Sequence, residues 1–169
     1  STSMASVTLT ASLKSKPVVS ITNGEIIAKI ETILINPNTR AVAALQFSKG
    51  GLLNRATHLI PADEIRVWGE DVILVSGPNI FVQKENLTGS EEYLSVSDQL
   101  KGREVVSQDG QRIGILNDVL IDDDGRLVGY DLSKVFIEGA VAENKRISVE
   151  ATHAMGPDVL VVDQTLLPE

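Results

Sequence analysis

The sequence predicts an all-β fold: two small barrels or sandwiches in tandem, with short helical turns. Three observations predict it. The chain repeats itself, its turn signals lie between short β-prone runs, and no stretch keeps a long apolar period of 3.6 residues. Aligned with one gap at Ile21, residues 13–35 and 100–121 share nine identities in 22 pairs. The ends of the copies match as well, Gly69–Val75 against Gly156–Val162, 87 positions apart. A period of that length is too long for a solenoid unit and suits a compact domain. The expected organisation is a first domain at 8–77, a linker at 78–96 and a second domain at 97–164.

Each element follows in order. Residues 1–6, Ser-Thr-Ser-Met-Ala-Ser, read as a flexible lead outside the fold. Val18–Ile21 and Glu25–Ile35 flank Asn23-Gly24, the dipeptide suited to a type I′ hairpin, and Asp109-Gly110 holds that place in the second copy. In the next strand Ile113, Ile115, Val119 and Ile121 share one parity, which Leu116 and Leu120 break, so a bulge or bend is expected. The next turns are Asn36–Thr39 and Asp122–Gly125, followed by alternating strands at Val42–Phe47 and Leu127–Leu132. Pro61–Ile65 predicts a single helical turn. Later strands are expected at Leu59–Pro61 with Ile147–Val149 and at Val72–Val75 with Val159–Val162. Within the linker, Ile80-Phe81-Val82 can add a strand. Closure into a barrel would remove exposed strand edges, and a copy of about 70 residues is marginal alone, so the copies are expected to lean on each other.

Composition narrows the function. The 169 residues carry 15 basic and 23 acidic side chains, a net charge of -8, and no Cys. Cys-ligated metal, Cys nucleophiles and disulfides are thereby excluded. No apolar run approaches the ~20 residues of a membrane-spanning helix, and no signal-peptide pattern opens the chain, so a soluble, cytoplasmic protein is expected. The charge is uneven: residues 1–84 hold 8 basic and 6 acidic groups, residues 85–169 hold 7 and 17. An acidic second half disfavours direct contact with nucleic-acid phosphates.

No motif supports catalysis. His58 and His153 stand apart with no Ser-His-Asp order around them. Asp122-Asp123-Asp124-Gly125 lacks the alternate carboxylates and the Glu at position 12 of a calcium loop, and reads as a solvated turn. Gly50-Gly51 has no Gly-Lys-Ser/Thr behind it and is not a phosphate loop. Asp63-Glu64 and Glu70-Asp71 are sequence neighbours in turns, poorly placed for paired acid/base work. The expectation is no enzyme, with no catalytic residue, cofactor or metal.

The ordered set of motifs resembles the PRC-barrel family. The matching residues are Leu100–Ser107, Asp109–Gly114, Asp118–Asp122 and Asp124–Gly129 in the second copy. In the first they are Ser48–Leu53 and Ile60–Ile65. The first copy departs at Ala28, where the family has Gly, and the second at Val135–Glu143. The resemblance implies the barrel shared by the photosynthetic reaction centre H subunit and the ribosome-maturation factor RimM, and a docking or assembly role without shared catalytic residues. The expected function is therefore a non-catalytic adaptor or assembly factor. Its rivals are a ribosome- or RNA-maturation factor, an accessory of a photosynthetic complex, and a small-ligand or ion-binding barrel. The partner is expected to be a protein, with peripheral membrane docking and homo-oligomerisation left open. Candidate contact residues are Leu52, Leu53 and Arg55 in loop 49–55, together with Trp68. Two alternatives stand open: the leucines meet a partner or fill the seam between copies, and Trp68 lids a core or anchors a partner.

Overall fold

The computed structural model describes residues 7–49, 53 and 56–169. After β1 (Thr8–Leu9), the first copy contains β2 (Pro17–Ser20), β3 (Ile26–Lys29), β4 (Thr32–Asn36), β5 (Ala41–Lys49), β6 (Ala56–Pro61), β7 (Ile65–Trp68) and β8 (Ile73–Val75). β9 (Val82–Gln83) and β10 (Leu94–Ser95) follow. The second copy contains β11 (Glu104–Ser107), β12 (Arg112–Ile121), β13 (Leu127–Val135), the short helix α1 (Ala140–Asn144), β14 (Arg146–Ser148), β15 (Thr152–Met155) and β16 (Val159–Val162). The fold is all-β, and among the described residues helical structure is confined to short segments, from three-residue turns such as Ala62–Glu64 and Val149–Ala151 to the six residues of Thr10–Ser15.

The repeat is visible strand by strand. The order β3-β2-β8-β7 in the first copy matches β12-β11-β16-β15 in the second. In both, the first strand runs parallel to the last, Val18 beside Ile73 and Val105 beside Leu160, 87 positions apart. The first hairpins are also alike, but neither is a type I′ turn. Only the glycines take positive φ, Gly24 at 72° and Gly110 at 83°. A type I′ turn requires positive φ at the preceding residue too. The first loop is one residue longer: Gly24 N–H donates to Ser20 O, whereas Gly110 N–H donates to Ser107 O. That residue is the alignment gap.

The break in parity has the expected cause in β12, where register shifts fall at Ile115/Leu116, Leu116/Asp118 and Leu120/Ile121. β12 bends through these irregularities and stays one strand. The first copy divides the same stretch into β3 and β4, so its strands form two sheets, β3-β2-β8-β7 and β10-β4-β5-β6-β9. Neither copy is closed by a continuous ladder.

Edge protection comes instead from exchange between copies. β1 pairs antiparallel with β12 of the second copy, Thr8 beside Ile121 and Leu9 beside Leu120. β10 pairs with β4 of the first, Leu94 beside Ile35 and Ser95 beside Leu34. The two pairings are equivalent under a shift of 86 residues, so each copy lends its leading strand to the other. At the seam Val42 N–H donates to Gly125 O at 2.8 Å and Leu127 N–H to Arg40 O at 2.9 Å. One buried apolar cluster runs from Leu13 and Val18 through Ile121, Tyr130 and Val162, drawing on both copies.

The motif that opens each copy acquires a physical role. Lys16 Nζ donates to Gly69 O at 2.8 Å, and Arg103, 87 positions later, donates through Nη1 to Gly156 O. Each cation ties the start of its copy to the turn before the last strand. Burial depresses the Arg103 pKa, and Asp158 acts in the opposite sense.

Candidate interaction surface

Residues 50–55 lie in sequence between β5 and β6, which pair from Ala44–Pro61 to Lys49–Ala56. Leu53 is 96% exposed. Leu52 and Arg55 lie outside the described residues. An aliphatic side chain held in water gains nothing for folding, so Leu53 is not seam packing.

The strands at the base of this loop carry a cluster of rings. Phe47 and His58 are cross-strand partners and stack with centroids 5.5 Å apart. Phe81, delivered just before β9, meets both edge-on, at 5.5 Å from Phe47 and 5.2 Å from His58. Lys49 Nζ lies 4.4 Å from the Phe81 centroid. Such edge-on and cation–π contacts fix ring positions at little conformational cost. His58 Nδ1 lies 3.2 Å from Ala56 O, a carbonyl that can only accept, so that nitrogen carries the proton. The His58 ring is held between Phe47 and Phe81. Phe81 was legible only as part of a strand, because it stands beyond the repeat and has no counterpart to expose it.

Trp68 is elsewhere. Its indole lies on Gly125, where an added Cβ would come within 3.0 Å of the ring. Gly125 has φ 76°, a conformation that already favours glycine. Since Gly125 O accepts from Val42 N–H, Trp68 lies near the seam end of β5. Lys49 is seven residues along that strand, roughly 23 Å away at about 3.3 Å per residue. The structure therefore does not bring Trp68 and Leu53 together. Trp68 is half-buried against the core and borders a cleft of about 760 Å³ between β1, the β7–β8 turn and the end of β12. The charged lining residues of that cleft are Lys16, Glu70, Asp122, Asp123 and Arg146.

His153 Nδ1 accepts from Gln108 Nε2 at 3.0 Å, far from His58. Among the described residues, no three His, Asp or Glu groups are placed to hold a metal ion. Nor, among them, is any helix long and apolar enough to cross a membrane.

The chain is built of two matching β units with exchanged leading strands. The family model for the PRC-barrel domain matches it twice, over residues 9–79 and 96–165. The chain belongs to the PRC-barrel family. Domains of this family are protein-interaction and assembly modules and are generally non-catalytic. Among curated proteins, none matches the chain.

Proposed function

We propose that the protein is a cytoplasmic, non-catalytic adaptor or assembly factor that docks a protein partner through the β5–β6 loop of its first copy. One observation carries the reading: Leu53, between β5 and β6, is 96% exposed, and those two strands carry the Phe47–His58–Phe81 cluster. A rigid base presenting an aliphatic tip lowers the ordering cost of binding. Leu52, next to Leu53 in sequence, and Arg55, two positions on, extend the contact in this reading. Trp68 contributes a second, separate contact at the cleft. The Cys-free composition suits a reducing compartment.

Leu53→Ser tests the proposal. Cross-linked complexes recovered from native cells through the tagged protein should contain about ten- to a hundredfold less partner, the loss expected when one buried leucine is removed. The melting temperature should stay within a degree or so, because Leu53 is almost wholly exposed. Undiminished partner recovery would refute the docking role, as would a steep fall in melting temperature.

A further inference from the structure

The two strand exchanges meet at one small cavity of about 100 Å³, whose lining includes Thr10, Thr32, Val96, Ser97 and Asp118. Under the 86-residue shift that relates the exchanges, Thr10 corresponds to Val96 and Thr32 to Asp118. The main chain obeys the same shift. Ala11 N–H donates to Asp118 Oδ2 at 2.9 Å, and Ser97 N–H, 86 positions later, donates to Thr32 Oγ1 at 3.2 Å. Each copy therefore presents the same patch to the other, the pattern of a two-fold interface. A backbone of that kind suits three pairings alike: first copy with second, first with first, and second with second.

The buried side chains tell these pairings apart. The shared position is 2% exposed as Thr32 and 3% exposed as Asp118. It is neutral in the first copy and a carboxylate in the second. The pairing in the structure brings one carboxylate to the cavity; two first copies would bring none, and two second copies would bring two. Lys14 and Lys101, 87 positions apart and both exposed, also line the cavity, one from each copy. Every pairing thus keeps two lysines, and only the carboxylate count changes. Two carboxylates on one small cavity repel each other. A pair of second copies would also set Val96, which has no hydroxyl, where Thr10 donates to Asp118.

We propose that this cavity makes the seam selective: the second copy accepts its sister and rejects the second copy of another chain. Each chain carries one copy of each kind. Two chains can join first copy to first only if their second copies pair as well or stay open, so the Asp118 conflict disfavours exchanged dimers of the whole chain. Selectivity of this sort comes from penalising the wrong partner as much as from contacts to the right one. It owes nothing to the β5–β6 loop and stands independently of the docking role proposed there.

The first test is a double-mutant cycle on the intact chain, read as urea midpoints. Thr32→Asp brings a second carboxylate to the cavity and should lower the midpoint. In an Asp118→Asn background, which keeps an acceptor and removes the charge, the same change should cost much less. Equal losses in the two backgrounds would overturn the proposal. The second test measures pairing itself. A protease site inserted after the exposed Thr88 lets the folded protein be cut between its copies. The cut protein is unfolded in urea, refolded with both halves present and weighed by native mass spectrometry. Unselective pairing gives mixed and like pairs in equal amounts. Mixed pairs should instead exceed like pairs by about tenfold or more, a bias worth about 1.4 kcal/mol, and Asp118→Asn should bring the ratio toward equality. Equal amounts without that substitution, or a bias that survives it, would refute the selectivity, and the cycle on the uncut chain decides the matter where the halves fail to refold.

Discussion

Tyr130 is fully buried in β13, with its hydroxyl against Thr152 Oγ1. Burial raises its pKa above the ordinary value of 10.0; the Thr152 hydrogen bond and the Arg40 charge oppose the shift without cancelling it. The unfolded chain therefore releases this proton first. The stability Tyr130 contributes is complete below its unfolded pKa and is lost as the pH rises through the higher folded value. Tyr130→Phe should cost about 1 kcal/mol near neutral pH through the lost hydrogen bond, and should make the alkaline decline in stability shallower. Urea midpoints followed across the alkaline range, with phenolate absorbance as a second signal, check both parts. The hairpin glycines were legible because only Gly takes positive φ cheaply. The burial of Tyr130 against Thr152 of another hairpin was not, because alternation names a face but no neighbour.

The exchanged strands β1 and β10 are two residues each, and a buried polar group secures each of them. Asp118, 3% exposed, accepts from Thr10 Oγ1, from Ala11 N–H at 2.9 Å and from Val119 N–H at 2.7 Å. Its counterpart in the first copy is Thr32, whose Oγ1 accepts from Ser97 N–H at 3.2 Å and lies 3.1 Å from Ser95 Oγ. A carboxylate with three buried or half-buried donors is the stronger of the two clasps. Asp118→Ala should destabilise the protein by about 2–4 kcal/mol, since its donors lose their acceptor. Thr32→Ala should cost about 1 kcal/mol. Urea unfolding of the two variants side by side measures the difference, and equal costs would show that the clasps do not differ as argued. Two-residue strands carry no periodicity, and the Thr10–Asp118 contact spans 108 positions. Nothing local announces such a pairing, so the polar residue inside an apolar strand was its only trace.

For the whole molecule, exchange and a shared core make the copies interdependent. A unit of about 70 residues buries too little surface to stand comfortably alone, and here each also relies on its sister for an edge strand. Calorimetry should show a single transition, with calorimetric and van't Hoff enthalpies in agreement. A fragment holding residues 97–169 lacks β1 and should show no cooperative melting. Two resolved transitions, or a fragment that melts sharply, would show that the exchanged strands are dispensable.

The sequence by itself determined the repeat, the places of the turns, the β character of each copy and the bend in β12. Those properties are local: positive φ belongs to glycine, alternation to strands, and a broken parity to a bulge. Tertiary structure alone decided that the leading strands change places, that the first copy's sheet divides between β3 and β4, and that Trp68 faces Gly125 across the seam. It also decided which side of Pro17–Ser20 points outward. That strand is apolar at three consecutive positions, so its alternation is silent. A bulge at Val18/Val19 resets the register of its partner, so the exposed row of Ile26, Val19, Leu74 and Val67 exists only once the four strands have paired.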